Sequence, residues 1–89
     1  MFNTMAEFKR ANKNAGFYFF SKDTMRFFGS KVESKLYKNQ CFITSEKKCF
    51  SDYTRVFKVR RANKDGSVEN LTEWLNTLQE AREYVKRAV

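Results

Sequence analysis

The sequence has no histidine and no proline, and its 89 residues include only two cysteines and three glycines. Without histidine there is no imidazole to move protons near neutral pH, no Ser-His or Cys-His nucleophilic pair, and no ordinary Cys/His zinc site. The absence of proline suits a compact run of elements joined by short turns. Gly16, Gly29 and Gly66 are too scattered to build a phosphate-cradling loop, and each is better placed as a helix stop or turn. Cys41 and Cys49 are expected to be reduced thiols in a cytosolic chain, with Cys41 a small buried hydrophobe beside Phe42 and Ile43. No apolar run approaches the roughly 20 residues that cross a bilayer, and MFNTMAEFKRANK at the N-terminus holds no signal-type core. A soluble, cytoplasmic protein with no membrane partner, metal or cofactor is expected.

What the chain has in abundance is rings and positive charge: ten Phe, four Tyr and one Trp, with a formal net charge of +8. One ring buries on the order of 150–250 Å², so the aromatics supply much of the apolar area of a single small core. A chain this short buries roughly 60–65% of the surface its unfolded form exposes, which leaves room for one domain spanning residues 1–89. With 42% hydrophobic residues it is too apolar for disorder.

Periodicity divides the chain into helices at both ends and strands between. Thr4 and Glu7 form a capping box for an N-terminal helix that Gly16 stops, with Phe8, Ala11 and Ala15 on one face and Lys9, Arg10 and Lys13 outward. Phe17 to Phe20 reads as a buried extended segment, followed by a short central helix that opens at Ser21 or Asp23 and ends at Gly29. From Lys31 the period changes to two, giving a hairpin about Lys38-Asn39-Gln40. YTRVFKVRR forms a third strand, Asn63-Lys64-Asp65-Gly66-Ser67 a strong turn, and VENLTEWL a returning fourth strand. Thr77 and Glu80 make a second capping box for a final helix whose stripe is Leu78, Ala81, Val85 and Ala88. The expected fold is α+β: a small antiparallel sheet of three to four strands, with the N-terminal, short central and C-terminal helices packed mainly on one face.

The sharpest charge feature is RVFKVRRANK, in which Arg55, Lys58, Arg60, Arg61 and Lys64 occur without an acid. Alternation puts Arg55, Phe57, Val59 and Arg61 on one face, the core side, and leaves Lys58 and Arg60 on the open one. Basic strands with neighbouring rings bind single-stranded nucleic acid by neutralising phosphates and stacking on bases. The same tract also suits a solvated face or an edge strand protected by charge. Lys9, Arg10 and Lys13 add a second basic tract. No helix-turn-helix spacing, zinc finger or other sequence-reading motif is present, so binding would be dominated by the nucleic-acid backbone. Asp23, Glu33, Glu46, Tyr37 and Tyr53 stand at no spacing that demands chemistry, and a non-enzymatic protein without a small-molecule substrate is expected.

FFSKDTMRFFGSKVESKLY at residues 19–37, CFITSE at 41–46, and YTRVFKVRR with its glycine turn together resemble a family of small proteins carried by bacteriophages and related mobile elements. That family has no agreed activity, so the resemblance carries over no catalytic or binding residues. It implies a setting, inside a bacterial host cell. Two readings follow. In one, the protein binds nucleic acid or a nucleic-acid-bound host complex through Lys58, Arg60, Arg61, Lys64, Arg55, Lys9, Arg10 and Lys13. In the other, it inhibits a host defence protein in the manner of an anti-CRISPR protein, with Trp74, Tyr53 and Phe50 as aromatic anchors.

Overall fold

The computed structural model describes residues 1–22, 31–32, 35–37, 39–47 and 55–87. The expected central helix over residues 23–29, Cys49, and the candidate anchors Phe50 and Tyr53 lie outside the described residues. Helix α1 (Met5–Asn14) precedes strands β1 (Lys31–Val32), β2 (Cys41–Lys47), β3 (Arg55–Ala62) and β4 (Val68–Asn70), and helix α2 (Leu78–Arg87) follows. The strands form one antiparallel sheet in the order β1-β2-β3-β4. The fold is therefore α+β, with each strand beside its sequence neighbour.

Both helices are capped at the N-terminus by the expected threonine hydroxyl. The Glu7 N–H donates to Thr4 Oγ1 at 3.2 Å, and the Glu7 carboxylate reaches back to the Asn3 N–H at 3.0 Å. The Glu80 N–H donates to Thr77 Oγ1 at 3.1 Å. At the other end of α1, the Gly16 N–H bonds the Lys13 carbonyl and the Phe17 N–H the Asn12 carbonyl. This paired pattern is a Schellman motif, and Gly16 takes the left-handed φ of +86° that it requires.

Successive side chains along a strand face opposite sides of the sheet, and on β2 both sides are covered. Phe42 packs with Met5 and Phe8 of α1 and with Ala62. Its neighbours Cys41 and Ile43 pack with Val59 and with Ala81 and Val85 of α2. The helices thus divide between the two faces, and the expectation that they gather mainly on one gives way to three layers. The buried run Cys41–Ser45 in the middle layer follows directly from cover on both sides.

Two local departures bear on the site. The fourth strand ends at Asn70, because the Thr72 hydroxyl accepts the Val59 N–H that a longer ladder would use. One more bond runs from the Leu71 N–H to the Val59 carbonyl, and Leu75 then exchanges two backbone hydrogen bonds with Phe57. Phe17–Phe20 is not a buried extended segment either. The Ser21 N–H bonds the Tyr18 carbonyl to close a turn, Tyr18 takes φ +54°, and Phe17 and Tyr18 are 51% and 56% exposed. Phe19 and Phe20 turn inward, their rings 4.9 Å apart edge to face, and Phe20 meets Phe8 and Phe42.

A pair of side-chain amides fixes the N-terminal segment. Gln40, at φ +64°, accepts from the Phe2 N–H and donates to the Phe2 carbonyl, both at 2.9 Å. Asn12, on the inner face of α1 and 1% exposed, accepts from the Phe19 N–H and donates to the Gly66 carbonyl, both at 2.8 Å. Gly66, at φ +90°, lies so close beneath α1 that a Cβ there would stand 2.8 Å from the Ala11 carbonyl oxygen. Its turn is closed by bonds between Asn63 and Ser67, while the Ser67 hydroxyl and N–H both bond Asp65. Those two bonds, the hydroxyl's first, hold the exposed Asp65 carboxyl below its ordinary range.

Candidate functional site

The alternation that builds the sheet also splits the basic tract of β3. Arg55 and Arg61 lie on the α2 side, Lys58 and Arg60 on the α1 side. Arg55 spends its guanidinium on Ser45, through Nε to the hydroxyl at 3.0 Å and Nη2 to the carbonyl at 3.1 Å. Arg61 pairs with Glu69 at 3.7 Å on an open surface, a contact worth little beyond geometry. Beside it Cys41 is buried, and burial pushes its thiol up while the charge of Arg61 pulls it back. The nucleophilic thiolate is disfavoured there.

Arg60 was expected on the exposed face and is 8% exposed. Its guanidinium lies 4.9 Å from the centroid of the Phe19 ring, donates from Nε to Thr44 Oγ1 at 2.8 Å, and donates from Nη1 to Asn70 Oδ1. A buried charge is costly unless hydrogen-bonded, and these partners make it tolerable. Burial lowers its pKa, with the charge of Glu46 working the other way. Arg60 is a structural cation, corrected from the expectation of a free one. Lys58 lies half-buried with Nζ 4.1 Å from the centroid of Trp74, which is 39% exposed. Lys64 is exposed in the β3–β4 turn.

What the structure brings together is the other tract. Lys9, Arg10 and Lys13 are all exposed, and they share the side of α1 that faces away from Met5, Phe8 and Asn12. The Schellman turn at Gly16 sends the chain back beside α1, so that Tyr18 and Phe20 complete a groove of about 410 Å³ with these three cations. Asn12 holds the groove's two walls together through its bond to the Phe19 N–H. Lys9 Nζ stands 5.7 Å from the Phe20 centroid, within range of cation–π attraction. From Phe8 to Lys22 the chain has no acid. Another cleft, about 360 Å³, is lined by Leu75, Glu80, Glu83, Tyr84 and Arg87, and its two carboxylates against one cation make it unsuitable for a polyanion. Sequence reasoning noted the α1 cations but ranked them below β3. It missed the ring wall, because the signal, a glycine stop followed by four aromatics, also fits a buried strand.

Among the described residues no His, Cys, Asp or Glu cluster could hold a metal ion, and no helix is long and apolar enough to cross a membrane. The profile of a family described as of unknown function (DUF7447) matches residues 4–86. No curated protein and no solved structure matches the chain.

Proposed function

The chain belongs to the family of unknown function DUF7447, and we propose that it is a non-enzymatic protein that binds nucleic acid, or a host complex containing it, through the groove beside α1. The observation that carries this reading is the gathering of Lys9, Arg10 and Lys13 with aromatic side chains around one recess in an acid-free stretch. A net charge of +8 adds long-range attraction for a polyanion. The negative end of the α1 dipole lies nearby, but its partial charge of about half a unit is outweighed by three full cations. The resemblance to proteins of phages and mobile elements supplies the proposed setting, a bacterial host cell.

Fluorescence anisotropy against labelled oligonucleotides across a salt series tests the proposal. Three neutralised phosphates contribute a slope of about −2 to −3 in log affinity against log salt, and replacing Lys9, Arg10 and Lys13 together by Gln removes that contribution. Undetectable affinity at low salt, or an unchanged slope in the triple variant, overturns it. A second reading is a protein-binding inhibitor of a host defence system. It is favoured by Trp74, whose partly exposed ring is held in place by Lys58. Capture from nuclease-treated host lysate separates the readings, since a stoichiometric protein lost on Trp74→Ala supports the inhibitor.

A further inference from the structure

We propose, resting on the nucleic-acid reading of the same groove, that it selects an unpaired strand: phosphates lie against Lys9, Arg10 and Lys13, and a base stacks on Tyr18 with Phe17 beside it. The first observation is the placement of the rings. Phe17 and Tyr18 are among the few large apolar side chains left exposed among the described residues, and Tyr18 lines the groove with the cations of α1. Tyr18 is also held at φ +54°, a left-handed conformation uncommon for a bulky side chain. The Phe17 N–H bond to the Asn12 carbonyl before it, and the Phe19 N–H bond to the Asn12 side chain and Ser21 N–H bond to the Tyr18 carbonyl after it, fix that conformation. The ring is therefore presented by a built turn and not by a loose loop.

The second observation is size. At about 410 Å³ the groove falls at the lower end of the roughly 300–1,000 Å³ typical of small-ligand sites. That is suited to a single nucleotide unit. The bases of a duplex face inward, and it offers rings only phosphates and groove edges. An unpaired strand can turn one base out onto the rings while its backbone follows the cations, the arrangement by which single strands are held without sequence readout. A lipid surface is the other acidic partner that cations and rings suit. Here, however, the apolar face of α1, Met5 and Phe8, is spent on the sheet, so the helix has no free face to sink into a bilayer.

The test compares affinities of the full chain for a fluorescein-labelled 12-nucleotide oligothymidylate, the corresponding 12-base-pair duplex, and phosphatidylserine vesicles, all at low salt. The single strand is expected to bind about tenfold or more tighter than the duplex, the order of one stacked base. Tyr18→Ala is expected to remove about tenfold for the single strand and leave the duplex unchanged, Tyr18→Phe to retain affinity, and Phe17→Ala to have a smaller effect in the same direction. Both positions are exposed, so circular dichroism should confirm an unaltered fold. Equal affinity for the two nucleic acids, unmoved by Tyr18→Ala, overturns the strand preference while the parent reading stands. Failure to bind either nucleic acid overturns both, as does binding to vesicles alone.

Discussion

At the residue scale, one buried polar side chain, Asn12, ties the candidate groove to the rest of the fold. Asn12 satisfies a backbone donor from the segment after α1 and a backbone acceptor from the β3–β4 turn at once. Removing it leaves both groups without a partner in the interior, at roughly 1–3 kcal/mol for each such group. Asn12→Ala is therefore expected to lose about 3 kcal/mol in urea unfolding, and Asn12→Asp to be destabilising as well, because a carboxylate would face the Gly66 carbonyl. A loss under about 0.5 kcal/mol would remove Asn12 from this role. Neither Asn12 nor Arg60 was legible as a buried group in the sequence. A polar residue in a basic amphipathic helix, and an arginine in a run of cations, are assigned to water by periodicity. What buries them is a hydrogen-bond partner far along the chain, Gly66 in one case and Thr44 with Asn70 in the other.

At the scale of elements, the caps and turns were the most readable features, because each depends on residues a few positions apart. Thr4 with Glu7, Thr77 with Glu80, the stop at Gly16 and the turn at residues 63–67 all form where their residue types require them. The two left-handed glycines are nevertheless unequal. A Cβ at Gly16 would meet nothing within 4 Å, so Gly16→Ala carries only the conformational cost of about 1–2 kcal/mol. A Cβ at Gly66 adds a 2.8 Å clash with the Ala11 carbonyl oxygen and a tight contact with Ala15, neither of which can move without shifting α1. Gly66→Ala is expected to be the more destabilising of the pair in parallel thermal melts, and equal losses would mean that α1 does not rest on this turn. The strand faces were harder to read. Cys41, Phe42 and Ile43 form an unbroken apolar run, the mark of a strand covered on both sides, yet Phe42 and Thr44 alone fit a one-sided alternation. A one-sided alternation implies helices on a single face and Arg60 in solvent, and cover on both faces reverses both.

For the whole molecule, the excess of positive charge acts on stability and on binding with opposite signs. Self-repulsion at +8 disfavours the compact state, and salt screens it with a Debye length of about 10 Å at 0.1 M. The melting temperature is accordingly expected to rise from low salt to about 0.3 M sodium chloride over the same interval in which oligonucleotide affinity falls. A melting temperature that drops with salt would show that ion pairs, and not repulsion, dominate the surface. Composition made this net imbalance visible. It did not place the cations, since β3 deals its arginines to opposite faces while α1 keeps its three together.

The bond from Asn12 to Gly66 spans 54 positions of sequence, and the one from Phe2 to Gln40 spans 38. Sequence order is also the order of synthesis, so α1 leaves the ribosome long before the turn that anchors it. A ten-residue helix is marginal by itself in water. Until Gly66 emerges, only local bonds such as that from the Phe19 N–H to Asn12 join the ring wall to the basic stripe, on a helix too short to hold by itself, and a nascent chain displays the cations without a fixed groove. Recognition by shape is thus withheld until synthesis has passed the β3–β4 turn.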